Sequence, residues 1–298
     1  MVKMAVANSI SNNNGRGMEY LYVDLLCENL GFIPTNRTEI YQRRDHNKFI
    51  ELPANLQQEY ETGGKYFIEW IKNKFLSIET KDLFIDRLSD GDGVKGDVTD
   101  IRLLIGGNCV NISLKHNHTA LKHQRPSNFP CQCGFSSNDK ETITYKQEYA
   151  RINNKFILDA NDFLPENNLY SALKEKDSEY INKNLYLPMC NMVIDFLNTH
   201  VKEEKVNTLF RFLVGNLSFY KVISYNNKLV ILEYSELPMP KTVVASIVKD
   251  SYVKLAFDNC WTINMRLHTA SSRIGNNVSL KFDSQPESCE VPQKTFKY

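Results

Sequence analysis

Apolar residues at helical spacing open the chain. Met18, Leu21, Tyr22, Leu25 and Leu26 recur every three or four positions and Gly31 closes the run, which predicts a helix over 15–30. Residues 54–79 carry Tyr60, Phe67, Ile68, Ile71 and Phe75 on one face and predict a second long helix, which Gly63-Gly64 is expected to break or kink. At position 101 the period changes to two. Ile101, Leu103 and Ile105 alternate with Arg102 and Leu104, and Gly106-Gly107-Asn108 supplies a turn that tolerates positive φ. In the following strand Val110, Ile112 and Leu114 share one face while Asn111, Ser113 and Lys115 share the other. With the apolar face on the core, Ser113 and Lys115 are expected together in a polar cleft.

A loop is predicted over 126–138, helices around 140–153 and over 169–213 with an interruption at Pro188, and a hairpin of 219–224 and 228–234 about Asn226-Asn227. Strands at 252–257, 261–269 and 278–283 follow. This order predicts an α/β (α+β) chain with a central mixed β-sheet flanked by helices. No linker divides it, so 1–298 is expected to be a single elaborated domain.

At 298 residues, 42% hydrophobic and 24% charged, the chain has the composition of a soluble globular protein. No apolar run reaches the roughly 20 residues that span a bilayer. The opening MVKMAVANSISNNNGRG lacks an apolar core of signal-peptide length, so a cytoplasmic location is expected. Seven cysteines, an odd number, favour reduced thiols, and Cys131-Gln132-Cys133 has no second ligand pair for zinc.

A net charge of +1 excludes a non-specific nucleic-acid coat but leaves room for local charge. No acid lies between Asp100 and Asp139, where Arg102, Lys115, Lys122 and Arg125 stand, nor between Asp258 and Asp283, where Arg266, Arg273 and Lys281 stand. The two segments read either as two sides of an anion-binding cleft or as chance clustering in strands that carry few charges.

An acid beside a lysine on a two-stranded ribbon is the minimal apparatus for metal-assisted phosphodiester cleavage. Asp100 is a hard oxygen donor for Mg²⁺, Lys115 is placed to orient a nucleophile, and the Leu114 carbonyl lies between them. Among the histidines that follow, His116 and His118 would share a side of an extended segment, which suits phosphate or DNA contact, packing, or zinc; Asn117 and His123 accompany them. Lys122 and Arg125, on a helix, would lie about one turn apart and grip a single backbone strand. Asn264, Arg266 and His268 alternate against Ile263, Met265 and Leu267 and form a plausible reading face, since Arg pairs with guanine and Asn with adenine.

Thr99-Asp100 and Ser113-Leu114-Lys115 resemble the PD-(D/E)xK nuclease core. More narrowly, Asp97–Ile101, Ser113–His118 and 122–125, together with Phe219–Ile223, Trp261–Ser271 and Ser279–Phe282, resemble the HaeIII-type type II restriction endonucleases. The resemblance implies a restriction-endonuclease-like core over about 15–125, a strand-rich DNA-recognition part over about 215–285, and Asp100, Ser113, Lys115 and Glu19 as catalytic residues. Asp100, Leu114, Asp97 and Glu19 become the metal ligands. Ser113 departs from the motif, which has Asp or Glu there; Asp97 or the helix residue Glu19 is left to supply the missing carboxylate. The implied activity is Mg²⁺-dependent cleavage of double-stranded DNA at a short palindrome, GGCC being the first to test, with 5′-phosphate ends. The implied DNA contacts are His116, Asn117, His118, Lys122, His123, Arg125, Asn264, Arg266, His268 and Arg273. A palindrome is met by a homodimer or by a monomer that nicks in turn, and a companion methyltransferase gene is expected. A DNA-binding protein with a degraded nuclease core and a His-dependent metallohydrolase are the alternatives.

Overall fold

The computed structural model describes residues 2–77, 81–88, 97–117, 119–235, 237–289 and 291–298, with side chains from residue 13 onward. Most of the turn-rich patch at 89–97, and His118, lie outside the described residues. The strands are β1 (Ile33–Pro34), β2 (Leu83–Arg87), β3 (Ile101–Ile105), β4 (Asn108–His116), β5 (Lys122–Gln124), β6 (Phe219–Ser224), β7 (Lys228–Tyr234), β8 (Val243–Lys249), β9 (Tyr252–Phe257), β10 (Thr262–Thr269), β11 (Leu280–Ser288) and β12 (Gln293–Lys297). They form two sheets, in two compact units.

The first unit takes residues 1–119, 215–237 and 291–298. Its sheet has the order β1-β2-β3-β4-β6-β7-β12; β1–β2 and β4–β6 are parallel and the other pairs antiparallel, the mixed sheet expected. Among the described residues three helices belong to it: α1 (Val2–Leu30), α2 (Asn36–Ile50) and α3 (Ala54–Phe75). Met18, Tyr22, Leu26, Tyr60, Phe67 and Ile71 from α1 and α3 pack with Ile101, Leu103, Ile112 and Leu114 from the sheet. Each such side chain contributes roughly 1.5–3 kcal/mol on burial.

Gly63-Gly64 does not break α3. A Cβ at 63 would stand 2.7 Å from the Tyr298 hydroxyl and 2.9 Å from that of Tyr22, and one at 64 would stand 2.4 Å from Leu25, so the glycines serve close packing. Gly106 and Gly107 take φ of 53° and 85° to close the β3–β4 hairpin, and Asn226 and Asn227 take 49° and 55° to close β6–β7.

The second unit takes residues 120–214 and 238–290. Its antiparallel sheet has the order β5-β11-β10-β9-β8. The segment expected as a loop at 126–138 contains the short helix Phe129–Gln132. Pro188 does not end the helical run: a π-helical turn over Asn182–Tyr186 leads straight into Leu187–His200, of which Pro188 is the second residue. The nuclease core expected over 15–125 thus falls largely in the first unit, and the strand-rich part expected over 215–285 is shared by both. Cys27, Cys109, Cys131, Cys133, Cys190 and Cys260 are free thiols. Among the described residues no helix is long and apolar enough to cross a membrane.

Candidate active site

β3 and β4 are held in register by Ile101 opposite Ile112 and Leu103 opposite Val110. Asp100 sits just before β3, and its N–H donates to the Ile112 carbonyl at 2.8 Å. This places its carboxylate against the C-terminal half of β4, just ahead of the first β3 residue. Three donors converge on Asp100 Oδ2: Ser113 Oγ at 3.0 Å, Leu114 N at 2.7 Å and Lys115 Nζ at 2.9 Å. Asp100 is 25% and Lys115 23% exposed, so the pair is open to solvent on one side. In a strand the N–H and C=O of one residue leave by the same edge, so the Leu114 carbonyl also leaves toward Asp100.

Ser113 departs from expectation in its burial. β4 is covered on both faces between Val110 and Leu114, and Ser113 is inaccessible rather than cleft-lining. Its register partner on β6 is the buried Lys221, whose ammonium donates to the Thr119 carbonyl.

Glu19 joins this group from α1. Burial pushes its carboxyl above the ordinary range, the Asp100 charge adds to the effect, and Arg87 and Lys115 oppose it. Its partner is Arg87, at the end of β2 and 1% exposed, whose Nη2 donates to Glu19 Oε2 at 2.6 Å. The same guanidinium donates to Asp45 Oδ2 at 3.0 Å and, through Nη1, to Gln42 Oε1 at 3.0 Å. The Arg87 N–H donates to Thr38 Oγ1 at 2.8 Å. Thr38, Gln42 and Asp45 form a polar stripe along α2. Burial acts to raise Asp45, but Arg44, Arg87 and Lys48 outweigh it and hold the carboxyl at about 2.

Asp97 is engaged elsewhere. Its Oδ1 accepts from Thr99 N at 3.0 Å and its Oδ2 from Arg102 Nη2 at 2.5 Å, with Arg102 also donating to Asn111. His116 turns inward: its ring meets Tyr60 edge-on at 5.5 Å, its Nε2 lies 2.7 Å from Asn117 Nδ2, and burial lowers its pKa. Among the described residues no group of three or more His, Cys, Asp or Glu side chains is disposed to hold a metal by itself.

The remaining sequence-selected residues lie in the second unit. The two acid-free segments meet in one sheet, since β5 pairs with β11 and β11 with β10. Lys122 and Arg125 are not on a helix. Lys122 is in β5 with its ammonium 3.9 Å from the Phe212 ring centroid, where burial lowers its pKa. Arg125 follows β5 and donates to Ser279 Oγ at 2.7 Å. On β10 Ile263, Met265 and Leu267 are buried while Asn264, Arg266 and His268 share the opposite face. On the neighbouring strand Asp283, opposite Arg266, is paired to His123 and, at 2.9 Å, to His268. Arg273 is exposed, with its backbone bridged to Leu169.

Arg87, Asp45, Gln42 and Asp283 are absent from the sequence-derived set. The sequence signal for Asp283 is its alternation with Lys281 along β11. The α2 residues sit in a helix that hydrophobic periodicity does not reveal.

A family model described as HaeIII restriction endonuclease matches residues 15–235, a span that holds Glu19, Arg87, Asp100, Ser113 and Lys115. Among curated proteins the type II restriction enzyme HaeIII of Haemophilus aegyptius is 25% identical over 319 residues, covering 92% of this chain and 93% of the relative. No solved structure matches the chain.

Proposed function

The chain belongs to the HaeIII restriction endonuclease family and is a site-specific deoxyribonuclease, and from that premise we propose that it hydrolyses double-stranded DNA with Mg²⁺ at a short palindrome, leaving 5′-phosphate ends. The observation that carries the reading is the convergence of Ser113, Leu114 and Lys115 on one Asp100 oxygen, with Glu19 alongside.

Asp100, Glu19 and the Leu114 carbonyl are the oxygens that would hold Mg²⁺. Bound there, the cation supplies charge neutralisation at the phosphate and acidifies water. Lys115 orients the attacking water and stabilises charge that develops on the phosphate. Ser113 is a donor that fixes Asp100 and not a ligand. Glu19 rather than Asp97 takes the place of the missing carboxylate, because both Asp97 oxygens already serve Arg102 and the Thr99 backbone.

DNA contact is assigned to the outer face of the second unit's sheet, through Asn264, Arg266 and His268, with His123, Arg125 and Arg273 beside them. The assignment is to a face and not to a base-by-base code. GGCC is the first sequence to test, on the resemblance of the motifs. A homodimer or successive nicking serves a palindrome equally, a cognate methyltransferase gene is expected, and the enzyme's place is the cytoplasm.

The test is digestion of unmethylated phage DNA by the purified protein with Mg²⁺. Discrete fragments with ligatable ends, lost in Lys115→Ala, are expected. Salt-sensitive binding without cutting under Mg²⁺, Mn²⁺ or Co²⁺ would instead mark the degraded-core alternative.

A further inference from the structure

We propose that Arg87 is a positioning residue for the divalent cation, acting through Glu19. The inference rests on the reading of Glu19 as a cation ligand and adds to it the group that sets where that ligand stands.

Three facts carry it. Arg87 is 1% exposed and is the direct cationic partner of Glu19, at 2.6 Å. Asp45 and Gln42 come from α2, so the guanidinium is clamped from that side, and Nη2, which donates to Asp45, also donates to Glu19 on α1. The clamp is also tied to the Asp100 side of the site through the backbone. Arg87 is the register partner of Ile101, and the Leu88 N–H donates to the Asp100 carbonyl at 3.0 Å. One residue therefore joins the strand end that carries Asp100 to the helix that carries Glu19.

The planar, five-donor guanidinium suits this work because it addresses two carboxylates and an amide in fixed directions; a lysine ammonium cannot do so. The Glu19 oxygen bound to Arg87 keeps a second lone pair and the other oxygen is untouched by this contact, so a positioned Glu19 still coordinates a cation. Residues that orient a metal ligand typically change metal affinity by about 10–100-fold when replaced.

The experiment is Mn²⁺ binding to the full-length protein without DNA, by calorimetry, in wild type, Arg87→Lys, Glu19→Gln and the double variant. Glu19→Gln is expected to weaken Mn²⁺ binding, Arg87→Lys to weaken it by about 10–100-fold, and the double variant to bind no worse than Glu19→Gln alone. DNA affinity in EDTA, where no cation fills the site, is expected to match wild type in Arg87→Lys, separating positioning from general loss of structure. If Glu19→Gln binds Mn²⁺ like wild type, the ligand reading fails. If Glu19→Gln is impaired and Arg87→Lys is not, or if the two losses add in full, the ligand reading stands and the role of Arg87 is overturned. Gln42→Ala, which frees only the Nη1 end, is read if Arg87→Lys does not fold: a smaller loss of the same sign supports the proposal, and wild-type affinity overturns it.

Discussion

Two charged clusters in this molecule are built with opposite signs. In the first unit one guanidinium, Arg87, stands between two carboxylates, Glu19 and Asp45; in the second one carboxylate, Asp283, stands between two imidazoles, His123 and His268. They differ most in their access to water. Arg87 and Asp45 are sealed, whereas Asp283 is a quarter exposed and His123 more than half. A sealed ion cluster tolerates no missing member, because the survivor is left charged in a poor solvent. An open one loses little, because water takes the vacated place. A metal ligand has to be held to fractions of an ångström, and Glu19, proposed as one, is held by the sealed kind. The open kind lies on the sheet face proposed for DNA contact.

The largest expected effect lies at the catalytic end. Lys115→Ala should lower single-turnover cleavage by at least about 100-fold while leaving DNA affinity in Ca²⁺ unchanged; cleavage near the wild-type rate would detach the first unit from the chemistry. Next comes stability. Arg87→Met should cost about 3–5 kcal/mol in urea unfolding, and Asp283→Asn less than about 1 kcal/mol. Equal costs would break the contrast drawn from burial. Arg266→Ala should weaken DNA binding by about 1–3 kcal/mol, read by fluorescence anisotropy, with the cleavage rate at saturating DNA retained.

The smallest effect is a pH dependence. Asp45 is held at about 2 in the folded chain, below the unfolded value of roughly 3.9. Its contribution is therefore complete above about pH 4 and is lost as the pH falls toward 2. Asp283 is also lowered, its histidine and lysine neighbours outweighing burial, so it acts in the same sense. Thermal melts between pH 5 and pH 2 should show a steep acid limb that Asp45→Asn flattens more than Asp283→Asn does.

The ribbon that carries Asp100 and Lys115 was legible in the sequence because period-two alternation and a Gly-Gly turn are local signals. The outward face of β10 was legible for the same reason. Helix α2 was not. Its sequence, NRTEIYQRRDHNKFI, buries Thr38 and Asp45 and gives no apolar stripe to find, because the face turned inward is polar. Arg87 and its partners went unseen with it. Alternation along β4 indicates two faces but not that both are covered, so the burial of Ser113 is not legible from it. The strand at Lys122 shows no period in the sequence, because three residues are too few to carry one. Glu19 came into view only through the family resemblance, since nothing local distinguishes one helix glutamate from another.

The chain passes between its two units four times, at 119–120, 214–215, 237–238 and 290–291. A single crossover between two related genes therefore cannot exchange one unit intact. A recombination that moved the strand-rich unit to a new nuclease partner would need all four junctions to be respected at once. New specificities in this architecture are more readily reached by point changes on an existing sheet face than by shuffling of cassettes.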